Sequence, residues 1–450
     1  MSNELQGRVA AGRLTTFQLF SLGICVCLNM LDGFDILAMS FAASGIKSAW
    51  LLTDGQLGYL LSAGLIGMGF GSLMVAPWAD RLGRRPIVLL SVTIASLGMI
   101  GSAAAPGFGA LLALRILTGI GIGGTIASAA VLVSEYAPDR WRNVALAVYA
   151  TGYSVGATIG GALTALAIPH FGWRSAFAIG GTLSVALVPV AWRLLPESLD
   201  FLLTRRPPSA LRRVNELLSA LHQAPISLLP DRPTAVGGIK KRASAAFALL
   251  ITPTTILGWF VFFCTMAGFY FMVSWTPRLL TASGLSANQG LTGGVLLNFG
   301  GIAGCGLYAW AASRVDARRL LLVTLLATGL GIAAFGLTMH NLSVALCTAL
   351  LLGMLANAAM AGLYVVGPSL YPTAVRATGM GSAIGIGRLG AILSPVVSGA
   401  LLDRGWSPAH LYALYSVPFA VAALALLAIR TKSGPGQRRA TAAASEINRL

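Results

Sequence analysis

The chain alternates between long apolar stretches and short polar loops. Twelve stretches of about 20 residues or more have the length and composition that an α-helix needs to cross a bilayer. They lie at residues 17–45, 56–77, 87–105, 108–134, 143–168, 174–195, 253–280, 290–312, 319–339, 342–370, 377–402 and 408–430. The pattern predicts an all-α membrane protein with twelve transmembrane helices in two six-helix, pseudo-symmetric halves.

A polar segment in the middle of the chain divides these spans into six and six. The predicted parts are an N-terminal half (residues 1–195), a linker (196–247), a C-terminal half (248–430) and a tail (431–450). Within the linker, residues 209–221 repeat apolar positions at helical spacing, which predicts a short amphipathic helix on the membrane surface.

Composition supports a membrane protein, since 56% of the residues are hydrophobic and only 10% are charged. The net charge of +17 does not require nucleic acid as a partner, because Lys and Arg gather in the loops of one side. On the opposite side, the basic residues of the loops are only Lys47, Arg174, Arg278 and Arg404. This asymmetry predicts that both termini and the linker are cytoplasmic. The sequence carries no nucleophile–base constellation, cofactor motif or metal-binding spacing, so we predict a protein that is not an enzyme.

Two short motifs of the first half recur in the second half at nearly the same spacing along the chain. Residues 134–138, Ser-Glu-Tyr-Ala-Pro, have an echo in residues 369–372, Ser-Leu-Tyr-Pro, 235 positions later. The loop at Asp80 has a weaker echo at Ser313, 233 positions later. The repeat predicts two parallel halves with a substrate site between them near the middle of the membrane.

Four charged residues lie well inside predicted spans, away from the span ends. Asp32 and Asp35 are three residues apart, on neighbouring parts of one helix face, and each costs roughly 2.5–3.5 kcal/mol to insert. Arg115 cannot shed its charge and needs a carboxylate, from an aspartate or from a substrate. Arg388 is the second candidate cation. We predict that the aspartates couple protons and that the arginines bind a substrate carboxylate or pair with the acids. The alternatives are a static salt bridge between the aspartates and Arg115, and a structural contact of Arg388 with a carbonyl or a helix end.

Aromatic and amide side chains in the spans are candidate contacts for a substrate ring and its substituents. They are Asn29, Phe34, Tyr153, Tyr270, Trp275, Asn298 and Tyr364. The competing explanation for the aromatic residues is contact with lipid or with the membrane interface.

The loop between spans 2 and 3 combines acidic, basic and glycine residues. Asp80, Arg81, Arg84 and Arg85 surround Gly83, which permits a tight turn. We predict that these groups pair across the halves and with helix ends and form an inner gate. Glu135, at the end of span 4, is the expected partner. The alternative is that the basic residues serve topology alone.

This loop, residues 76–86, resembles the signature loop of the major facilitator superfamily, with Ala76 at a position that is usually Gly. The Asp-Gly-Phe-Asp element at residues 32–35, together with Arg115, Phe171-Gly-Trp-Arg174 and Gly387-Arg388, resembles the aromatic acid/proton symporter family. That resemblance implies a monomer of the bacterial inner membrane that imports benzoate- or hydroxybenzoate-like carboxylates by proton symport and alternating access, for aromatic hydrocarbon catabolism. It implies protons, substrate and lipid as partners, without a cofactor. Two alternatives stay open: a proton-coupled exporter of drugs or metabolites, and an importer of another small organic acid such as nicotinate.

Overall fold

The computed structural model describes residues 14–229, 252–371 and 376–429. The helices are α1 Thr16–Trp50, α2 Asp54–Met74, α3 Ala76–Leu82, α4 Arg84–Ala103, α5 Phe108–Tyr136, α6 Asp139–Phe171, α7 Arg174–Leu194, α8 Leu199–Arg205, α9 Ala210–Ala220, α10 Pro253–Ala282, α11 Ala287–Ala312, α12 Ala317–Thr338, α13 Leu342–Val366, α14 Arg376–Asp403 and α15 Pro408–Ala428. Twelve helical segments of this described part are long and apolar enough to cross a membrane, with α2 and α3 counted as one. The prediction of twelve spans is confirmed. The predicted tail, 431–450, and the linker beyond residue 229 lie outside the described residues.

Polar residues at the membrane boundary extend the helices beyond the apolar stretches. Helix α1 begins with a capping box, in which Thr15 and Gln18 satisfy each other's backbone N–H groups. It continues to Trp50, five residues past the predicted end. Lys47 lies in its last turn, where a positive charge is favourable, and lies 2.5 Å from Asp54.

The two halves repeat the same helix pairings. In the N-terminal half, α1 packs on α6, α2 on α5, and α4 on both α5 and α7. In the C-terminal half, α10 packs on α14, α11 on α13, and α12 on both α13 and α15. Pairs α1 and α10, α2 and α14, and α6 and α11 join the halves. This correspondence is the structural form of the repeat in the sequence.

Small residues set the spacing of the pairs. A Cβ added at Gly156 of α6 would overlap the backbone of Met30, and one added at Gly33 of α1 would overlap the backbone of Tyr153. Close backbone approach of this kind is typical of helix pairs in membranes. It holds the aspartate-bearing part of α1 tightly against α6.

The linker helices lie at one end of the bundle, which we call the linker side; the opposite end is the far side. Helix α9 falls within the range predicted for an amphipathic helix. Its apolar face, with Val214 and Leu218 fully buried, packs in one cluster with Leu202 and Leu203 of α8. The polar face of α9, including Arg212 and Glu216, is exposed.

Polar contacts join the halves toward the far side. Asp403, at the end of α14, accepts hydrogen bonds from the backbone N–H groups of Asp54 (2.8 Å) and Gly55 (2.9 Å) at the start of α2. Arg278 of α10 lies 3.8 Å from Asp54. We call these four residues the far-side latch.

Two serines add cross-half contacts between the latch and the middle of the bundle. Ser62 donates to the carbonyl of Ile392 (2.7 Å), and Ser40 donates to that of Ser274 (2.7 Å). Within residues 14–229, 252–371 and 376–429, the hydrogen bonds and ion pairs that join the halves are those of the latch and of these two serines. The polar contacts between the halves therefore lie nearer the far side.

Candidate functional site

Asp35 and Arg115 form a closed ion pair between α1 and α5. The guanidinium binds both carboxylate oxygens, with Nη1–Oδ1 at 2.5 Å and Nη2–Oδ2 at 2.7 Å, and both side chains are 2% exposed. The ring of Phe177 lies 5.5 Å from the guanidinium carbon. A Cβ at Gly64 would lie 3.2 Å from Nη2, so glycine leaves room for the pair. This is the fork-to-fork geometry in which such pairs are strongest.

Asp32 lies one helical turn before Asp35 and has a different environment. The residue is only 6% exposed, and its Oδ1 atom is buried with no hydrogen-bond partner in the described part of the chain. A buried carboxylate without a partner is costly, so the group is held neutral by a proton or compensated by a nearby cation. The sequence predicted the same role, proton coupling, for both aspartates, but their environments are chemically distinct.

Arg388 is a candidate counter-charge for Asp32. It lies on α14, in the opposite half, is half-buried, and is within electrostatic reach of Asp32, Tyr270 and Tyr364. Its guanidinium makes no hydrogen bond or ion pair with any other described residue. The planar guanidinium therefore remains available to an anion.

Three tyrosines complete this cluster. Tyr153 of α6 has a buried hydroxyl without a hydrogen-bond partner among the described residues and interacts electrostatically with Tyr270 of α10 and with Asp32. Tyr364 of α13 is 47% exposed and packs edge-on against Phe262, with ring centroids 6.3 Å apart.

We call Asp32, Tyr153, Tyr270, Tyr364 and Arg388 the central site. The N-terminal half contributes the acid and one tyrosine, and the C-terminal half contributes the cation and two tyrosines. No side-chain hydrogen bond within the described residues involves any of the five. The arrangement presents one carboxyl, one guanidinium and three phenols that a ligand between the halves can bind.

The other predicted contacts have different surroundings. Asn29 donates to the carbonyl of Tyr149 at 2.6 Å, and Phe34 is buried where Cβ atoms at Gly160 and Gly180 would overlap its ring. Asn29 and Phe34 thus make packing contacts within the N-terminal half, and their contact with a substrate stays a prediction.

Asn298 and Trp275 are both buried in the C-terminal half. The Asn298 amide donates to Gly294 of its own helix at 2.9 Å. Trp275 is fully buried, and its indole N–H has no partner within the described ranges. Their contact with a substrate stays a prediction.

The charged loop on the linker side is paired within the N-terminal half. Arg84 forms an ion pair with Glu135 and donates to Ser198 Oγ at 3.0 Å, and Ser198 donates to Glu135 at 2.7 Å. Asp80 lies 3.7 Å from Arg84 with a side chain that is 69% exposed, and Arg81 is exposed. The predicted partnership of this loop with Glu135 is present. The predicted pairing across the halves is absent from the described residues, because here the polar contacts between the halves lie toward the far side.

Glu197 is a member of this cluster that the sequence interpretation missed. Its Oε1 atom accepts from the backbone N–H groups of Arg84 (2.8 Å) and Arg85 (3.1 Å) at the start of α4. Gly83 turns the chain into this helix at φ 108° and ψ 151°, a conformation that is essentially restricted to glycine. The available signal was an acid and a serine directly after Pro196, on the same side as the loop.

The far-side latch was also missed. Asp54 and Asp403 lie next to predicted span ends, where charged residues are common and give no signal of function. Their contact joins positions 349 residues apart, and nothing in a single sequence indicates that pairing.

Comparison with known proteins agrees with this architecture. Residues 22–312 match the model of the Major Facilitator Superfamily. The chain is 33% identical to the gallate transporter of Pseudomonas putida over 431 residues, which are 96% of this chain and 95% of that protein. It is 32% identical to the 4-hydroxybenzoate transporter PcaK of Pseudomonas aeruginosa over 433 residues, with 94% and 95% covered.

A solved structure gives the same fold. The xylose transporter XylE of Escherichia coli, in a partially occluded inward-open conformation, superposes with a TM-score of 0.74 at 16% identity, covering 93% of this chain and 99% of that one. The chain is a multi-pass membrane protein, and its relatives are transporters and not enzymes. It belongs to the Major Facilitator Superfamily, in the family that contains these aromatic acid transporters.

Proposed function

We propose that the protein imports a hydroxybenzoate-like carboxylate together with protons by alternating access. The observation that carries the proposal is the central site. There, a buried acid and a guanidinium, neither with a hydrogen-bond partner among the described residues, belong to opposite halves. The guanidinium can bind an organic anion, and the acid can carry the coupled proton.

Arg388 binds the substrate carboxylate in this mechanism, because its planar fork matches two carboxylate oxygens. Tyr153, Tyr270 and Tyr364 pack around the aromatic ring, and their hydroxyls hydrogen-bond its substituents. Gallate and 4-hydroxybenzoate, the compounds named for the two relatives, are ring-hydroxylated acids that suit such a set of phenols.

Coupling follows from competition for one cation. Without substrate, the charge of Arg388 favours the ionised form of Asp32. A substrate carboxylate on Arg388 neutralises that charge, and Asp32, buried and deprived of its counter-charge, takes up a proton. Substrate and proton are then carried together, and both are released when the site opens to the side of lower proton concentration.

Asp35 and Arg115 serve as the fixed part of this machinery. Their bidentate pair is neutral as a whole and fastens the middle of α1 to α5. It keeps Asp32, one turn away, in position between the halves. The proposal therefore assigns proton coupling to Asp32 and positioning to the Asp35–Arg115 pair.

Alternating access uses the asymmetry between the two ends. In this proposal, closure by the far-side latch leaves the central site open toward the linker side. We place the linker side in the cytoplasm, because its loops carry the excess of basic residues. In the opposite state the latch opens, and the linker-side loop around Asp80 and Arg84 takes part in closing the other end.

Uptake by proteoliposomes tests this function. Radiolabelled 4-hydroxybenzoate, gallate, benzoate and nicotinate are offered with and without an inward proton gradient. We expect the gradient to drive accumulation of the hydroxylated acids and a protonophore to abolish it. Uptake that does not rise with the gradient would favour the exporter, and accumulation of nicotinate alone would move the substrate to another class of acid.

A further inference from the structure

A groove on the linker side lies outside the transport pathway. Its volume is about 510 Å³, and it runs between the start of α4, the end of α7 and the amphipathic helix α9. Three arginines from these three elements line it: Arg85, Arg193 and Arg213. We call it the arginine groove.

These arginines have unused hydrogen-bonding capacity. Arg193 and Arg213 are exposed, and neither side chain makes a hydrogen bond or ion pair with another described residue. A terminal N–H group of Arg85 donates a hydrogen bond to the carbonyl of Trp192, while the buried Nε of Arg85 has no partner in the ranges described. The groove thus gathers three guanidinium groups with N–H donors that no described residue uses.

The acids in the groove are already engaged. Glu197 accepts backbone N–H bonds from Arg84, Arg85 and Ser198. Glu216 lies 3.5 Å from Arg212, on the exposed face of α9. Against these two acids the groove has three arginines, so its lining keeps a net positive charge that attracts an anion.

Apolar side chains continue from the groove along the faces of α4 and α7. Trp192 is 60% exposed and Leu194 43% exposed, and Leu82 and Leu89 line the same groove. Helices α4 and α7 are membrane spans, so their outer faces meet acyl chains, and an exposed indole near the end of a span is typical of the membrane interface. A free phosphate would use the arginines alone, whereas a phospholipid uses both surfaces.

We propose that the arginine groove binds an anionic phospholipid of the linker-side leaflet. The headgroup phosphate lies among Arg85, Arg193 and Arg213, and the acyl chains follow Leu89, Trp192 and Leu194. The bound lipid ties α9 to the transmembrane bundle. Positive charge for topology alone would need neither the groove nor the convergence of three elements on it.

Thermal stability of the purified full-length protein in detergent tests the site. Phosphatidylglycerol, phosphatidylcholine and glycerol 3-phosphate are titrated separately. We expect saturable stabilisation by phosphatidylglycerol only. Arg193→Gln and Arg213→Gln should each raise its half-saturating concentration about fivefold, since a basic residue near an anionic membrane surface contributes on the order of 1 kcal/mol.

Arg140→Gln is the matched control, because Arg140 is an exposed arginine on the linker side outside the groove, and this variant should respond as wild type. Equal stabilisation by phosphatidylcholine, or wild-type titration by the groove variants, would overturn the site. Equal stabilisation by glycerol 3-phosphate would overturn the assignment to a lipid.

Discussion

At the scale of single residues, the main result is the division of labour between two aspartates on one helix. Both carboxylate oxygens of Asp35 accept hydrogen bonds from Arg115, whereas Asp32 has a buried oxygen without a partner in the described structure. Helical spacing predicted that both lie on one face. It could not predict which of them meets Arg115, because that depends on the register of α1 against α5.

The two intramembrane arginines should respond differently to the same substitution. Lysine keeps the charge but lacks the planar fork. Arg388→Lys should weaken substrate binding about tenfold with little change in melting temperature, whereas Arg115→Lys should lower the melting temperature because a buried bidentate pair loses its geometry. Isothermal titration and thermal unfolding of the purified variants measure the two effects.

The Asp35→Asn/Arg115→Gln double variant provides the control for the buried pair. Removing both charges leaves no uncompensated ion, so the double variant should be more stable than Asp35→Asn alone, which strands a buried guanidinium at a cost of about 3–5 kcal/mol. Unchanged binding by Arg388→Lys would remove Arg388 as the carboxylate anchor.

At the scale of helices, the far-side latch is a contact between a carboxylate and a helix N-terminus. Asp403 of α14 neutralises the partial positive charge at the start of α2, and Arg278 approaches Asp54 in the same place. Because α2 and α14 belong to different halves, this interaction stabilises the far-side-closed state and has no counterpart when those ends separate.

Asp403→Asn should therefore shift the conformational equilibrium toward opening of the far side. An anion at a helix N-terminus contributes about 0.3–1 kcal/mol, so the open population should rise roughly two- to fivefold. Spin labels at Leu51 and Trp406, on far-side loops of the two halves, report the distance by electron paramagnetic resonance in a cysteine-free background.

Asp316→Asn is the matched control for the latch. Asp316 also caps a helix, accepting from the backbone N–H of Arg319 at 2.9 Å, but both residues lie in the C-terminal half. It should leave the label distances unchanged. An unaltered distance distribution in Asp403→Asn would show that the latch does not hold the far side closed.

At the scale of the whole molecule, hydropathy and repeat were enough to predict twelve spans in two related halves. Each span must satisfy its own backbone hydrogen bonds in lipid, so apolar length alone predicts a helix. Contacts between distant segments could not be predicted from the sequence, because they depend on three-dimensional register. Examples are the hydrogen bonds of Glu197 to the start of α4, those of Asp403 to the start of α2, and the packing of Phe34 against Gly160. The sequence named all five residues of the central site as candidates. Asp32 and Arg388 were distinctive because charged groups deep inside apolar spans are rare, whereas nothing in the sequence separates the three tyrosines from the other tyrosines in the spans.

Proton coupling by Asp32 is tested most directly by comparing accumulation with exchange in the Asp32→Asn variant. In proteoliposomes, the variant should fail to accumulate 4-hydroxybenzoate under an inward proton gradient but should still exchange internal for external substrate, since Arg388 and the tyrosines are intact. Gradient-driven accumulation at the wild-type level by Asp32→Asn would contradict the assignment of the coupled proton to Asp32.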